Sequence, residues 1–440
     1  MPTYRAQPPV KPRTQHNNPL QKAFYTFLHH YISNQDTTAQ KVSNDFGSLL
    51  SSMPKRYTLY PPLLLLPTNI FSTTPTWTAF ISQLSSGDLQ IFYKSIIEAF
   101  KHQGVTHVAI NAPISALTPN GISNTTRIPS GLVPLSGDFG PRSLLSTDND
   151  PSAQPSEADF AAAFWVHTIQ NGGIFQTWAP LWTMFSRGNI SEKARIRGEG
   201  TFDGLDGADG MLRQNLREIA VVDMYVGIGY FAFSYLKRGI GRVFGWEVNG
   251  WSVEGLRRGC EGNGWAVRVL NVGDEGLVRD GEGRFGQDAL EVLVAELGQD
   301  SKLRMVVFQG DNRWAGGIFT KIKALSGRKV ESGDSSSWLD VRHINLGLLP
   351  TSRMSWNDAI DVLDQKKGGW IHVHENVDIR DIEGKRESVL LHFRSRLGDT
   401  KTASCSHVEQ VKTYAPGVMH CVFDIHIEPK PIPPGVMGNG

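Results

Sequence analysis

Four apolar residues in a row, Ile219, Ala220, Val221 and Val222, run into Asp223, and two glycines, Gly227 and Gly229, follow at once. An unbroken apolar run of that length suits a parallel strand covered on both faces, and the glycines let the backbone turn sharply and approach a ligand with no Cβ in the way. The pattern then predicts a helix over 230–237, a second strand over 242–246 that ends at Glu247, and a helix over 251–263 with Val253, Leu256 and Cys260 on one face. Further strands are expected over 305–309, over 343–350, around Trp370 and over 418–427. Such alternation predicts a doubly wound, Rossmann-like α/β domain. One lapse interrupts it. Residues 266–303 are glycine-rich and charged, with Leu290, Leu293, Val294 and Leu297 marking a single amphipathic helix, and are read as a peripheral insertion.

Ahead of that domain the pattern changes. Residues 19–30 and 86–102 carry apolar and aromatic side chains at helical spacing, and 57–71 form a proline-punctuated apolar segment with strand character, which together predict a smaller α+β region. Residues 118–155 are rich in Pro, Gly, Ser and Asp and are read as a loop or linker. Beyond them, 164–168 and 174–178 are strand-like and aromatic. The expected division is an arm over 1–35, an α+β region over 36–135, a connecting subdomain over 136–215, the Rossmann-like domain over 216–430, and a tail over 431–440.

Composition narrows the classes. At 40% hydrophobic and 10% aromatic, 440 residues can bury a sizeable core, and a formal charge of +1 supplies no overall basic field, so any RNA contact must come from local patches. Cys260, Cys405 and Cys421 are too few and too scattered for a disulfide framework, which points to a reducing, cytoplasmic setting. The longest apolar runs fall far short of a bilayer span and no signal-peptide core opens the chain, so a soluble protein is expected. The first 35 residues carry Arg5, Lys11, Arg13 and Lys22 and no acid, but five prolines would break a transit-peptide helix; a flexible basic arm is the reading. No obligate protein partner is legible.

Glu247 lies 18 residues beyond Gly229, where a carboxylate at the tip of the second strand can accept from the hydroxyls of an adenosine ribose. The turn reads Asp223-x-Tyr225-x-Gly227-x-Gly229, with no third glycine at the dinucleotide spacing and no Lys-Ser/Thr to hold a phosphate, which favours S-adenosylmethionine over NAD or ATP. A tight βα turn without a ligand is the plainer alternative. Asp311 and Asn312, at the end of the third strand, stand where an adenine amino group would be met, or simply form an Asx turn that caps the next helix. Asn345 and Pro350 bracket the end of the fourth strand, with no Asn/Asp-Pro-Pro-Tyr/Phe motif for gripping an amino group. Ser186, Arg187, Lys193, Arg195 and Arg197 could hold an amino acid carboxylate, meet RNA phosphate, or decorate a solvated helix. His372 and His374 share one strand face beside Glu375, but satisfied strand histidines outweigh a metal site, and no metal is assigned. No nucleophile elbow or Cys/His pairing argues for covalent catalysis.

The run from Gln176 to Arg195, together with Asp223-Met-Tyr-Val-Gly-Ile-Gly-Tyr-Phe, Gly310-Asp-Asn-Arg313, Asn345-Leu-Gly-Leu-Leu-Pro350, His372-Val-His-Glu-Asn376 and Tyr414-Ala-Pro-Gly-Val-Met419, resembles the tRNA wybutosine-synthesizing protein 2 family. The resemblance covers roughly residues 137–429, with several motifs in the right order. It implies a class I methyltransferase-like fold. The activity it implies is transfer of the 3-amino-3-carboxypropyl chain of S-adenosylmethionine to C7 of 4-demethylwyosine in the anticodon loop of phenylalanine tRNA, tRNA(Phe), at position 37, leaving methylthioadenosine. Carried over residue by residue, the cofactor contacts fall on Ser186, Lys193, Glu247, Asp311 and Asn312, with the 223–229 loop supplying backbone. Asn345 and Pro350 are expected to shape the base pocket, and the N-terminal region to offer a tRNA contact. Insertions at 266–303 and near 327–338 depart from the family pattern. The related guanosine-37 N1 methyltransferases are the alternative; they carry Asn-Leu-Pro where this chain has Asn345-Leu-Gly-Leu-Leu-Pro350. A catalytically idle RNA-binding scaffold is a third reading, which the retention of Glu247 and Asp311 disfavours.

Overall fold

Where the chain alternates apolar and polar residues it builds half-exposed strands, and where the apolar run is unbroken it builds strands covered on both sides. In the computed structural model the described residues are 18–34, 46–111, 131–141, 154–170, 172–206, 216–330 and 340–430, with 115, 121, 124 and 126–129 between them. They divide into two compact units, Met1–Arg142 and Ser143–Gly440.

The first unit has a four-stranded sheet in the order β1 (Thr58–Tyr60), β2 (Leu63–Leu66), β3 (His107–Ile110), β4 (Val133–Ser136). Its central pair is parallel and the outer pairs are antiparallel. Helix Pro19–Ser33 begins where the Asn18 side chain accepts from the backbone N–H groups of Leu20 and Gln21. The expected arm therefore cannot reach residue 35; its residues 1–17 lie outside the described part. Phe24 and Phe27 pack against Phe92 of helix Ser86–Ala99, with ring centroids 4.9 and 4.7 Å apart. That helix opens with a capping box between Ser85 and Asp88. Strand β4 corrects the linker reading of 118–155, most of which is otherwise outside the described residues. Its Pro134 obscured it, yet proline is tolerated on an edge strand because no ladder hydrogen bond is lost.

In the second unit a short helix, Glu157–Ala162, leads into an antiparallel hairpin, β5 (Val166–Gln170) and β6 (Ile174–Trp178). Its main sheet uses β7 (Ile219–Asp223), β8 (Arg242–Glu247), β9 (Ala266–Val272), β10 (Val278–Arg279), β11 (Leu303–Gln309), β12 (Asp340–Leu346), β13 (Gly369–Asp378), β14 (Lys401–Ala415) and β15 (Val418–Pro429). The order is β10-β9-β11-β8-β7-β12-β13-β15-β14. Strands β9, β11, β8, β7, β12 and β13 run parallel, as expected, while β10, β14 and β15 are antiparallel additions at the two edges. One face is filled by Val222, Phe244, Phe308 and Ile344, the other by Val221, Val243, Met305 and Val307. Trp246 stacks on Phe308 at 4.8 Å. Helix Gly250–Gly262, capped by Asn249, lies so close to β6 that a Cβ on Gly255 would stand 2.7 Å from the Thr177 carbonyl oxygen. Among the described residues no helix is long and apolar enough to cross a membrane.

The insertion needs correction. Its expected helix is present, as Gln287–Gln299, but residues 266–279 contribute β9 and β10, and β9 extends the sheet in parallel beside β11. Leu290, Leu293, Val294 and Leu297 are buried in the same core as Phe244 and Phe308, so the segment is structural rather than peripheral. Of the second departure, near 327–338, residues 331–339 lie outside the described part. Leu293 is 1% exposed, so Leu293→Ala is expected to cost about 2–5 kcal/mol in urea unfolding; a loss below about 0.5 kcal/mol would return the insertion to the periphery.

Candidate functional site

The carboxyl ends of the parallel strands meet at the glycine turn, the crevice where open α/β sheets bind ligands. Gly227 and Gly229 take φ of +54° and +87°, which L side chains rarely adopt. A Cβ on Gly227 would sit 3.0 Å from the Tyr230 ring, and one on Gly229 2.5 Å from the Phe233 ring. From the tip of β8, the two Glu247 oxygens accept from Gly227 N–H at 3.0 Å and Asn249 N–H at 2.8 Å. From the tip of β11, Asn312 Nδ2 donates to the Met224 carbonyl at 2.7 Å. Side chains from the ends of β8 and β11 are thus laced to the loop that follows β7.

Asp311 behaves differently. Its side chain accepts from Arg313 N–H at 2.9 Å and pairs with the Arg313 guanidinium, which is the Asx turn weighed as the plainer alternative. Tyr225 sends its hydroxyl to Ser355 at 3.1 Å. Asp223 is fully buried; its Oδ1 accepts from Tyr225 N–H at 3.2 Å and Asn345 Nδ2 at 3.1 Å. Burial pushes its carboxyl up to about 7 against those two hydrogen bonds.

Asn345 points inward and begins a directional chain. Its Nδ2 donates to Asp223, so its Oδ1, 3.2 Å from His374 Nε2, faces an N–H; His374 Nδ1 then accepts from His420 Nε2 at 3.0 Å. Burial and neighbouring charge keep both imidazoles neutral: His374 lies well below its ordinary value, beside His420, and His420 falls to about 4, beside Lys412. Asn345 is therefore a positioning residue rather than a surface of the pocket. Pro350 is exposed, and its carbonyl accepts from Asn376 N–H at 2.8 Å.

The cations upstream do not act as one group. On helix Ile190–Ile196, Arg195 is withdrawn from ligand binding: it donates to Glu192 at 2.9 and 3.0 Å and to Asp424 of β15 at 2.6 and 3.3 Å. His372 Nδ1 meets the same aspartate at 2.6 Å and its Nε2 meets His343 Nδ1 at 3.0 Å. Burial opposes ionising Asp424, but His372 and Arg195 outweigh it and hold the carboxyl well below the usual range. Burial lifts Glu192 to about 7 against the pull of Arg195. Both strand histidines are thus satisfied by protein partners. Glu375 points away to Thr351 at 2.7 Å and Lys385 at 2.7 Å, and among the described residues no three His, Cys, Asp or Glu side chains are grouped to hold a metal ion.

Lys193 is the exception. It is 7% exposed, and its Nζ has no hydrogen-bond partner among the described residues, standing 5.3 Å over the Tyr230 ring. Burial, then Lys412 and Arg197, lowers it to about 8. It faces a cavity of about 290 Å³, whose walls include Gln176, Arg187, Arg197, Tyr230 and Ser234. Ser186 is not among those walls; its Oγ accepts from Gly188 N–H at 3.0 Å, and a Cβ on Gly188 would be 2.5 Å from Lys412 Nζ. An unpartnered buried ammonium and a glycine cradle that side chains would fill both suit S-adenosylmethionine, which offers a carboxylate and a nucleoside. Sequence reasoning missed Gln176, Glu192, Ser234 and Asp424: the Arg195–Asp424 pair spans 229 residues of chain, Glu192 gains its role from that pair, and Gln176 and Ser234 from lining the same cavity as Lys193.

No family model matches the chain. It is 37% identical over 374 residues to tRNA wybutosine-synthesizing protein 2 of Schizosaccharomyces pombe, covering 85% of this chain and 72% of that protein. It is 31% identical over 413 residues to tRNA wybutosine-synthesizing protein 2 of Saccharomyces cerevisiae, covering 86% and 75%. Among solved structures, P. horikoshii TYW2 in complex with MeSAdo shares the fold, with 15% identity, a TM-score of 0.50, and coverage of 91% of this chain and 98% of that one.

Arg195 is 5% exposed between two buried carboxylates. Arg195→Met takes the paired guanidinium from Glu192 and leaves Asp424 with His372, and is expected to cost about 3–5 kcal/mol in urea unfolding near pH 7.5. A loss under about 1 kcal/mol would mean that the pairs contribute no more than surface ion pairs do.

Proposed function

The chain belongs to the tRNA wybutosine-synthesizing protein 2 family, whose substrate is tRNA, and from that membership we propose that it transfers the 3-amino-3-carboxypropyl group of S-adenosylmethionine to C7 of 4-demethylwyosine at position 37 of tRNA(Phe). The observation that carries the reading is Lys193, a buried ammonium without a hydrogen-bond partner among the described residues, next to Tyr230 at the glycine turn. The neighbouring P. horikoshii TYW2 binds MeSAdo, in keeping with a nucleoside in this crevice.

S-adenosylmethionine supplies a sulfonium with three electrophilic carbons, and whichever lies in line with the nucleophile at near-attack distance reacts. Lys193 and Ser186 hold the amino acid arm so that the γ-methylene, not the methyl, faces C7. Glu247, at the tip of β8 and tied to the Gly227 and Asn249 backbone N–H groups, is the acceptor for a ribose hydroxyl. Asn312 commits its amide nitrogen to Met224, which leaves its oxygen for the adenine amino group, with Asp311 beside it. Gly227 and Gly229, flanked by Asp223 and Tyr225, let the backbone close on the nucleoside. Asn345 positions the base pocket from behind, through Asp223, Pro350 forms its rim, and the anticodon loop enters over the 347–355 segment. The C7–Cγ bond forms as Cγ–S breaks, sulfur keeps the electron pair, and C7 then loses its proton. Three free cysteines, two of them buried, accord with a reducing, cytoplasmic setting.

Mass analysis of tRNA(Phe) stalled at 4-demethylwyosine, after incubation with the protein and S-adenosylmethionine, should show the gain of one aminocarboxypropyl unit and an equal release of methylthioadenosine. A gain of one methyl group, with S-adenosylhomocysteine as by-product, would contradict the reading and favour the guanosine-37 methyltransferase alternative.

A further inference from the structure

The polar row that starts at Asp223 stops short of a last partner. His420 gives its Nε2–H to His374, and its Nδ1 is buried with no hydrogen-bond partner among the described residues. Its register partner on β13 is Asn376, whose amide Nδ2 and Oδ1 are both buried and likewise without a partner among the described residues. Buried polar groups are nearly always satisfied by protein, water or ligand. An amide orphaned at both ends, beside an orphaned imidazole nitrogen, marks a place where a ligand's hydrogen bonds belong.

That place is the crevice end of the sheet. Asn376 shares a strand face with His372 and His374 and stands nearer the carboxyl end of β13. Its backbone N–H donates to the Pro350 carbonyl at 2.8 Å, so the residue is fastened to the rim of the base pocket. On β14 the register partner of His420 is Lys412, which is exposed and whose Nζ lies against Gly188. Lys412 makes no ion pair among the described residues, and burial alone lowers it below the ordinary lysine value. A long exposed side chain of this kind changes rotamer readily and can uncover the amide.

The chemistry of the amide is selective. It presents a donor and an acceptor side by side, which matches an edge with one N–H and one bare nitrogen flanking a single carbon. Phosphate and carboxylate groups accept only and would leave Oδ1 unmet. The target base of the proposed reaction carries the matching edge, because ring nitrogens 4 and 5 of 4-demethylwyosine flank one carbon and share one proton. A methyl on nitrogen 4 removes that proton and fills the space of the bond.

We propose that Asn376 reads the 4,5 edge of the target base with both ends of its amide and thereby selects the base that lacks a methyl on nitrogen 4. This rests on the proposed function and names a specificity-determining residue for it. Oδ1 accepts the ring N–H, one Nδ2–H meets the bare ring nitrogen, and the second Nδ2–H is left for His420 Nδ1. All three orphaned atoms are then met. The row runs in one direction from the base edge through His420, His374 and Asn345 to Asp223. His420 is a positioning residue here, since it orients the amide and does not touch the base.

The test measures methylthioadenosine release with two tRNA(Phe) substrates that differ only by a methyl on nitrogen 4 of base 37. The unaltered protein is expected to favour the unmethylated base in kcat/KM by about tenfold or more. Asn376→Ala should lower kcat/KM on that base by about tenfold and bring the two substrates within about threefold of each other. Its S-adenosylmethionine affinity should stay within about twofold of the unaltered value, because the amide does not face the donor. Urea unfolding separates base reading from a structural role. Removing an unsatisfied buried amide should leave the midpoints of Asn376→Ala and Asn376→Leu unchanged or raised, whereas an amide that holds the fold together would lower both. Equal use of the two tRNAs by the unaltered protein, a preference that survives in Asn376→Ala, or a lowered midpoint in both variants overturns the assignment. Transfer to neither tRNA by unaltered protein that binds S-adenosylmethionine would remove the proposed function, and this reading with it.

Discussion

A buried guanidinium must have its donors met, and the two carboxylates that meet Arg195 dictate where the motif-bearing segment of this protein sits. Glu192 on its own helix and Asp424 on β15 both engage it, and Phe202 covers it with its ring centroid 4.6 Å away. The helix Ile190–Ile196 is thereby fixed in position and rotation on the β14–β15 edge of the sheet. Two residues before Arg195, Lys193 then points the other way, into a cavity where no acid meets it. Little more than half a helical turn separates charge that is fully paired from charge held in reserve. Only the second can do chemistry with a ligand.

The same half of the sheet carries a second buried polar row, from Asp223 through Asn345 and His374 to His420. Its hydrogen bonds run in one direction, which requires neutral imidazoles, and burial keeps them neutral. The row spans β7, β12, β13 and β15 and ends on the aspartate at the root of the glycine turn. With Glu247 tied to Gly227 and Asn312 tied to Met224, the loop is held from both sides. Such preorganisation suits a reaction in which the protein supplies position, because the choice among three electrophilic carbons is one of orientation.

Much of this was legible from local pattern. The unbroken run at 219–222, the acid 18 residues past Gly229 and the helical spacing of 251–263 each express a single element's environment, and each is found where it was read. What was not legible depends on distant partners. Residues 266–279 hide two strands because the apolar run of β9 is broken by Arg268 and Asn271 and is followed at once by the glycines and acids of 273–276, and β10 is only two residues long. Arg195 read as an available cation because nothing within its neighbourhood in the chain reveals Asp424. Gln176 sits inside a motif, yet its significance depends on Lys193 and Ser234 facing the same space. Asp311 matched a ligand position by spacing, while its own turn gives it a capping role.

The central claim is that the amino acid tail of the donor, not its methyl group, is steered by residues of the 186–197 segment towards transfer. A crystal structure of the protein with S-adenosylmethionine bound tests it most directly. The account predicts adenosine at the Gly227–Glu247 turn, Lys193 Nζ within hydrogen-bond distance of the tail carboxylate, and the γ-methylene open to the 347–355 segment. A tail lying outside the cavity, with the S-methyl directed at that segment, would contradict it.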